Sequence, residues 1–176
     1  ITRAEVLLPQ IQTPKRNIKS ALVYKGLWLI ICGLIKKALI ADYLAQYNNI
    51  VFDAPAVQNG FGDLMGVLGF SVQIYCDFSG YSDLAIGVAA LMGYELKDNF
   101  NFPYQSLNLT EFWHRWHIAL STWVRDYLYI PLGGNRKGTV RTYLNSFSVM
   151  IIAGLWHGAS WMFIVWGVMH GIGLVV

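Results

Sequence analysis

The reading of this chain turns on Asn108 to Gly134, NLTEFWHRWHIALSTWVRDYLYIPLGG. Asn108 suits a helix N-cap, and Glu111, three positions on, stands where a capping-box carboxylate reaches back. Pro131 and the pair Gly133–Gly134 supply the stop. The spacing predicts one helix between these signals. At about 100° per residue, Phe112, Trp113, Trp116, Leu120, Trp123, Val124 and Tyr127 gather on one side. His114, His117, Ser121 and Arg125 form a separate polar stripe. One reading is an interfacial helix with its rings at a membrane surface and its stripe in water. The other turns two imidazoles, a hydroxyl and a guanidinium toward a reaction site.

Upstream, Lys97 to Leu107 reads KDNFNFPYQSL, a polar and aromatic lead-in broken by Pro103. Before it, Phe61 to Leu96 contains QIYCDFSGYSDLAIGVAALMGY and predicts two helical pieces joined around Ser79–Gly80. Ala85, Ala89 and Gly93 recur every fourth residue, a small-residue stripe suited to close helix packing in lipid. Asp77 and Asp83 stand out, because a carboxylate in apolar surroundings is a candidate functional group. Structural roles rank ahead of that. Asp83 can cap or enter the first turn of the following helix, and Asp77 can bond a backbone group or an arginine.

Ala21 to Tyr47 is long enough to cross a bilayer, which takes about 20 residues. Lys25 lies near its start and Lys36–Lys37 inside it. A central charge costs at least ~2.5–3.5 kcal/mol, so these lysines must snorkel or face protein, and a tilted or broken helix is predicted. Asn48 to Gly60, with Pro55, reads as a loop. Residues 1–20, with Pro9, Pro14, Lys15, Arg16 and Lys19, read as a short amphipathic leading segment on the Lys/Arg-rich side of a membrane. Downstream, Arg136, Lys137 and Arg141 form a basic loop assigned to the cytoplasm by the same rule. From Thr142 to Val176 there is no Asp, Glu, Lys or Arg. As a straight helix that run measures about 52 Å, too long for one upright span and too short for two. A helix, a break within GLWHGASW (Gly154 to Trp161) and the start of a second helix are predicted.

Apolar residues make up 55% and charged residues 13%, against roughly 25% charged in soluble domains, so the chain reads as a membrane protein. Seven Trp and ten Tyr suit many interfacial anchors. The net charge of +3 is scattered and offers no nucleic-acid surface. Cys32 and Cys76 lie in apolar stretches and read as packing residues, not a disulfide or metal pair. The chain starts at Ile1 without a methionine and stops in an apolar run. It is expected to be one membrane domain, residues 1–176, truncated at both ends, with an all-α, polytopic bundle fold containing broken and amphipathic helices.

EFWHRWHIALSTWVRDYLYIPLGG, together with the lead-in from about Tyr75, resembles the signature of the membrane-bound O-acyltransferase family, nearest to its alginate O-acetyltransferase branch. The D-alanyl transfer proteins of teichoic acid synthesis are related to that branch. The resemblance implies a multi-pass protein of the bacterial cytoplasmic membrane. It would move acetyl from acetyl-CoA toward an exported polysaccharide, often with a separate periplasmic or extracytoplasmic acetyltransferase completing delivery. A carrier-protein thioester is the alternative donor, for D-alanyl transfer. No bound cofactor is implied. By resemblance, WHG matches the family's principal catalytic histidine at His157, and RWH places the second at His117. His114 departs from the family pattern and takes no family role. With Trp113, Ser121, Arg125, Asp77 and Asp83 it remains a candidate for substrate binding.

The residues themselves permit that chemistry. An imidazole within an uncharged run must face protein or a wet cavity, though a backbone carbonyl can satisfy it equally well. Histidine, with a reference pKa of ~6.5, suits removal of a hydroxyl proton as the oxygen attacks a thioester. His157 is then the base, while His117 orients it or hydrogen-bonds the developing oxyanion. No nucleophile elbow points to an acyl-enzyme. His170 reads as packing or interfacial. A zinc site from His114, His117 and His157 has the ligand count but no HExxH motif or cysteine pair, and ranks last. A transporter relaying protons through buried His, Asp and Lys is the rival class, without an inverted repeat to support it.

Overall fold

The computed structural model describes residues 2–13, 18–54 and 57–175, and these contain helices and no strand. Pro14, Lys15, Arg16 and Pro55 of the expected leading segment and loop lie outside the described residues. No single helix among the described residues is long and apolar enough to cross a membrane. The chain divides into two compact units, Thr2–Asp98 and Asn99–Val176.

In the first unit, α1 (Ala4–Gln12) buries no residue. It is tied down by Gln10, whose Nε2 donates to the Glu95 carbonyl at 3.1 Å while its Oε1 accepts the Glu95 N–H at 2.8 Å. Next come α2 (Ser20–Leu34), π-helical turns at Ile35–Ala41 and α3 (Asp42–Asp53). The junction residues all keep right-handed helical angles, so the path is widened and not broken. The loop expected from Asn48 begins later. Asn48 is 1% exposed inside α3, and burial there outweighs the turn preference of the Asn pair.

α4 (Gly60–Leu91) runs unbroken for 32 residues, so the join expected at Ser79–Gly80 does not occur. The glycines serve close approach instead. A Cβ on Gly33 would stand 2.7 Å from the Gly80 carbonyl oxygen, and one on Gly26 2.8 Å from that of Gly87. Two turns separate Gly80 from Gly87, so both face α2. That geometry also corrects the expected Ala85–Ala89–Gly93 stripe, for Ala85 is exposed and Gly93 lies beyond the helix with φ 86°.

Lys36 and Lys37 face protein, while Lys25 near the start of α2 is exposed. Lys36 Nζ meets Asp83 Oδ2 at 2.7 Å, and Lys37 Nζ meets Asp77 at 2.6 Å and Asp42 at 2.7 Å. Asp83 is therefore a mid-helix ion-pair partner, not a cap, and the partner of Asp77 is a lysine, not an arginine.

The second unit holds α5 (Leu109–Arg115), α6 (Ile118–Val124), π turns at Arg125–Tyr129, α7 (Thr139–His157) and α8 (Trp161–Gly173). The break predicted within GLWHGASW falls at Gly158–Ser160. α7 and α8 meet through glycine, since a Cβ on Gly167 would lie 2.6 Å from the Met150 carbonyl oxygen.

Candidate functional site

The single helix expected from Asn108 onward is in fact two. The start behaves as predicted. Asn108 Oδ1 accepts the Glu111 N–H at 2.8 Å, and Glu111 reaches back to the Leu107 N–H at 2.9 Å, one residue before the cap. Glu111 also takes Arg115 Nη2 at 2.7 Å. The Leu107 N–H first, then Arg115, hold its carboxyl below the usual range.

The helix then stops at Trp116, which is extended, and His117, which is left-handed at φ 43°, ψ 54°. That conformation costs a non-glycine residue about 1–2 kcal/mol, so something must hold it. The holder is the lead-in segment. The Asn99 carbonyl accepts the Ile118 N–H at 2.9 Å, and Asn101 donates its N–H to the Arg115 carbonyl at 2.9 Å. Asn99 Oδ1 accepts the Ala119 N–H at 3.1 Å and lies 3.2 Å from His117 Nδ1. The groups exposed by ending one helix and starting another are thus met by Asn99 and Asn101. Helical periodicity carries no signal for such a pairing across the sequence.

The break rearranges the polar stripe. A cleft of about 590 Å³ is lined by Trp113 and His114 from α5, Ser121 from α6, Arg125, and His157 from the end of α7. The structure brings these five together. His117 does not line the cleft and is only 9% exposed. Asp77 and Asp83 belong to the first unit, engaged with lysines. Ser121 Oγ donates to the Trp116 carbonyl at 3.1 Å, and Arg125 Nε donates to Asp126 at 2.7 Å.

His157 is the last residue of α7; it is exposed, and three aromatic rings contact it. Phe163 stacks at 5.9 Å and 26°, Trp166 presents an edge at 5.2 Å, and Trp156 lies at 5.1 Å. Trp166 in turn contacts His170 at 4.6 Å and Trp113 at 5.8 Å, so His170 packs within this cluster. Phe163, Trp166 and Asn99 are the residues that sequence reasoning passed over. For the two rings, the i+6 and i+9 spacing from His157 across a predicted break was the available clue.

The cleft combines an imidazole, a second histidine, a hydroxyl and a guanidinium with largely apolar walls, an arrangement suited to general-base chemistry on an amphipathic substrate. Among the described residues, no three His, Cys, Asp or Glu side chains gather to hold a metal.

The chain is similar to known proteins over most of its length. The chain is 54% identical over 82% of its length to the Pseudomonas putida protein named "Probable alginate O-acetylase AlgI". It is 47% identical over 86% of its length to the peptidoglycan O-acetyltransferase of Helicobacter pylori. To the teichoic acid D-alanyltransferase of Bacillus subtilis it is 31% identical over 86%. It spans 30%, 29% and 40% of these relatives respectively. The family model of MBOAT, membrane-bound O-acyltransferase family, matches residues 4–176, and the chain belongs to that family.

Proposed function

We propose that the full protein is a multi-pass membrane acyltransferase that moves an acetyl group from a thioester to a hydroxyl of an exported polysaccharide, with His157 as general base. The observation that carries this is the His157 ring at the end of α7, opening on the cleft beside Ser121 and Arg125. The acceptor oxygen attacks the thioester carbonyl carbon while His157 Nδ1 or Nε2 takes the hydroxyl proton. The C–S bond then breaks, and the proton passes to the departing thiolate. Phe163 and Trp166 contact the His157 ring and fix its orientation at the exposed end of α7. His117, buried and outside the cleft lining, assists by orientation in this reading.

Acetyl-CoA from the cytoplasm is the donor in this reading, and a partner acetyltransferase outside the membrane completes delivery. The names of the Pseudomonas and Helicobacter relatives support O-acetylation, of alginate in one and peptidoglycan in the other. D-alanyl transfer from a carrier thioester is the second reading, supported by the Bacillus relative. The lipid bilayer is the setting. The uninterrupted helical path from Ser20 to Asp53 is longer than any of its parts, and its two inner lysines, Lys36 and Lys37, are already neutralised by Asp42, Asp77 and Asp83.

The test is label transfer from [14C]acetyl-CoA by membranes carrying the full-length enzyme. His157→Ala is expected to lower it by ~10²–10⁴ with the amount of folded protein unchanged. Near-normal transfer by that variant, or a loss that only tracks lost protein, rejects His157 as the base.

A further inference from the structure

We propose that Gly158 is a positioning residue for His157: the side chain it lacks leaves the space in which the Phe163 ring lies against the imidazole. This goes one step beyond the acyl-transfer reading and rests on it for the part His157 plays.

The Phe163 and His157 rings stack with 5.9 Å between centroids and 26° between planes. A Cβ built on Gly158 would stand 2.7 Å from Phe163 Cε2 and 3.1 Å from Cδ2. Carbon atoms that are not bonded rest at about 3.5–4.0 Å, so a methyl at 158 and the ring in its present place exclude one another. Gly158 follows the last residue of α7 with φ 161° and ψ 167°, an extended backbone. The room taken by the ring is the feature that calls for a glycine.

The main chain of Phe163 is held on both sides. Its N–H donates to the carbonyl of Ser160, the cap of α8, at 3.1 Å. Its carbonyl oxygen fills the place that a Cβ on Gly154 would need. An added methyl at 158 is therefore met by turning the Phe163 ring about its side-chain torsions. The ring is 38% exposed and has room to turn outward, which takes it off His157 and leaves the α7–α8 packing intact. Trp166, three residues further along α8, presents its edge to the same imidazole at 5.2 Å. With Phe163 in place, α8 gives His157 a face contact and an edge contact. With Phe163 turned away the face contact is lost, and the imidazole gains freedom to rotate. Misplacing a reacting group by about 1 Å can cost ~10²-fold in rate.

The test is a double-variant cycle in membranes carrying the full-length enzyme, with kcat, KM for acetyl-CoA and the amount of folded protein measured for each variant. Gly158→Ala is expected to lower kcat by ~10–100-fold while KM and the amount of folded protein stay near wild type. Phe163→Ala removes the ring and is expected to lower kcat by a similar factor. Adding Gly158→Ala to Phe163→Ala is then expected to change nothing further, since no ring is left for the methyl to displace. A backbone or folding defect at 158 would multiply the loss in both backgrounds, and that result overturns the proposal. Normal kcat in Gly158→Ala, or a loss confined to KM, overturns it too. If Phe163→Ala does not fold, Phe163→Val takes its place, because valine stops short of the δ and ε carbons that the methyl would meet. His157→Ala judges the wider reading separately. Normal transfer by that variant removes the base and this proposal with it. An inactive His157→Ala beside equal Gly158→Ala losses in both backgrounds rejects the positioning role alone.

Discussion

Replacing Lys36 and Asp83 singly and together separates a structural carboxylate from a substrate-binding one. Their Nζ–Oδ2 distance is 2.7 Å, and their side chains are 28% and 19% exposed. An exposed pair contributes about 0–1 kcal/mol, whereas removing one partner of a fully buried pair costs about 3–5 kcal/mol. This pair lies between the limits, nearer the buried one, so Asp83→Asn or Lys36→Met should each cost about 2–3 kcal/mol. After Asp83→Asn, Lys36 keeps the Tyr75 ring at 5.8 Å as a neighbour but has lost its counter-charge. The double variant leaves no orphaned charge and should cost about 1 kcal/mol, which makes a coupling of several kcal/mol in the thermodynamic cycle. The assay is thermal unfolding of the purified full-length protein in detergent, with acyl transfer measured on the same samples. Additive losses would refute the pairing. A double variant that recovers stability yet transfers no acyl group would move Asp83 from the scaffold into the reaction.

Trp166→Leu should lower kcat by ~10–100-fold through a loosened His157, in keeping with the effect of small misplacements, while Trp166→Phe should restore most of it. Equal activity of the Leu and Phe variants would show that the ring does not position the base. Glu111 supplies a pH dependence. Its folded pKa is depressed by the Leu107 N–H and Arg115, so its contribution is present above the unfolded value of about 4.3 and is lost as pH falls through the lower folded value. Acid titration of stability should therefore be flatter in Glu111→Gln than in wild type below about pH 4.3, and parallel curves would contradict the bonding described.

Much of the chain was legible because its signals are local. The Asn108 cap, the break inside GLWHGASW and the need of Lys36 and Lys37 for protein partners all follow from groups within a few residues, or from the cost of burying charge. Periodicity failed where a distant segment supplied the missing hydrogen bonds. The stretch from Asn108 keeps helical spacing through His117, yet Asn99 and Asn101 accept and donate to the ends that a break exposes, so the break is stable. The opposite error occurred at Ser79–Gly80. Glycine there suggested a joint, but the absent side chain lets α4 lie against the Gly33 carbonyl, and packing keeps the helix whole.

The sequence by itself determined an all-α chain with family motifs and a histidine in an uncharged run, since composition and motif spacing are properties of the chain alone. Only the tertiary structure decided which polar residues share a cleft. It gathered His114, Ser121, Arg125 and His157 there, left His117 out of the lining and against Asn99, and paired Asp77 and Asp83 with lysines. Those assignments depend on hydrogen bonds and ion pairs between residues 18 to 47 positions apart, a range over which local spacing carries no information.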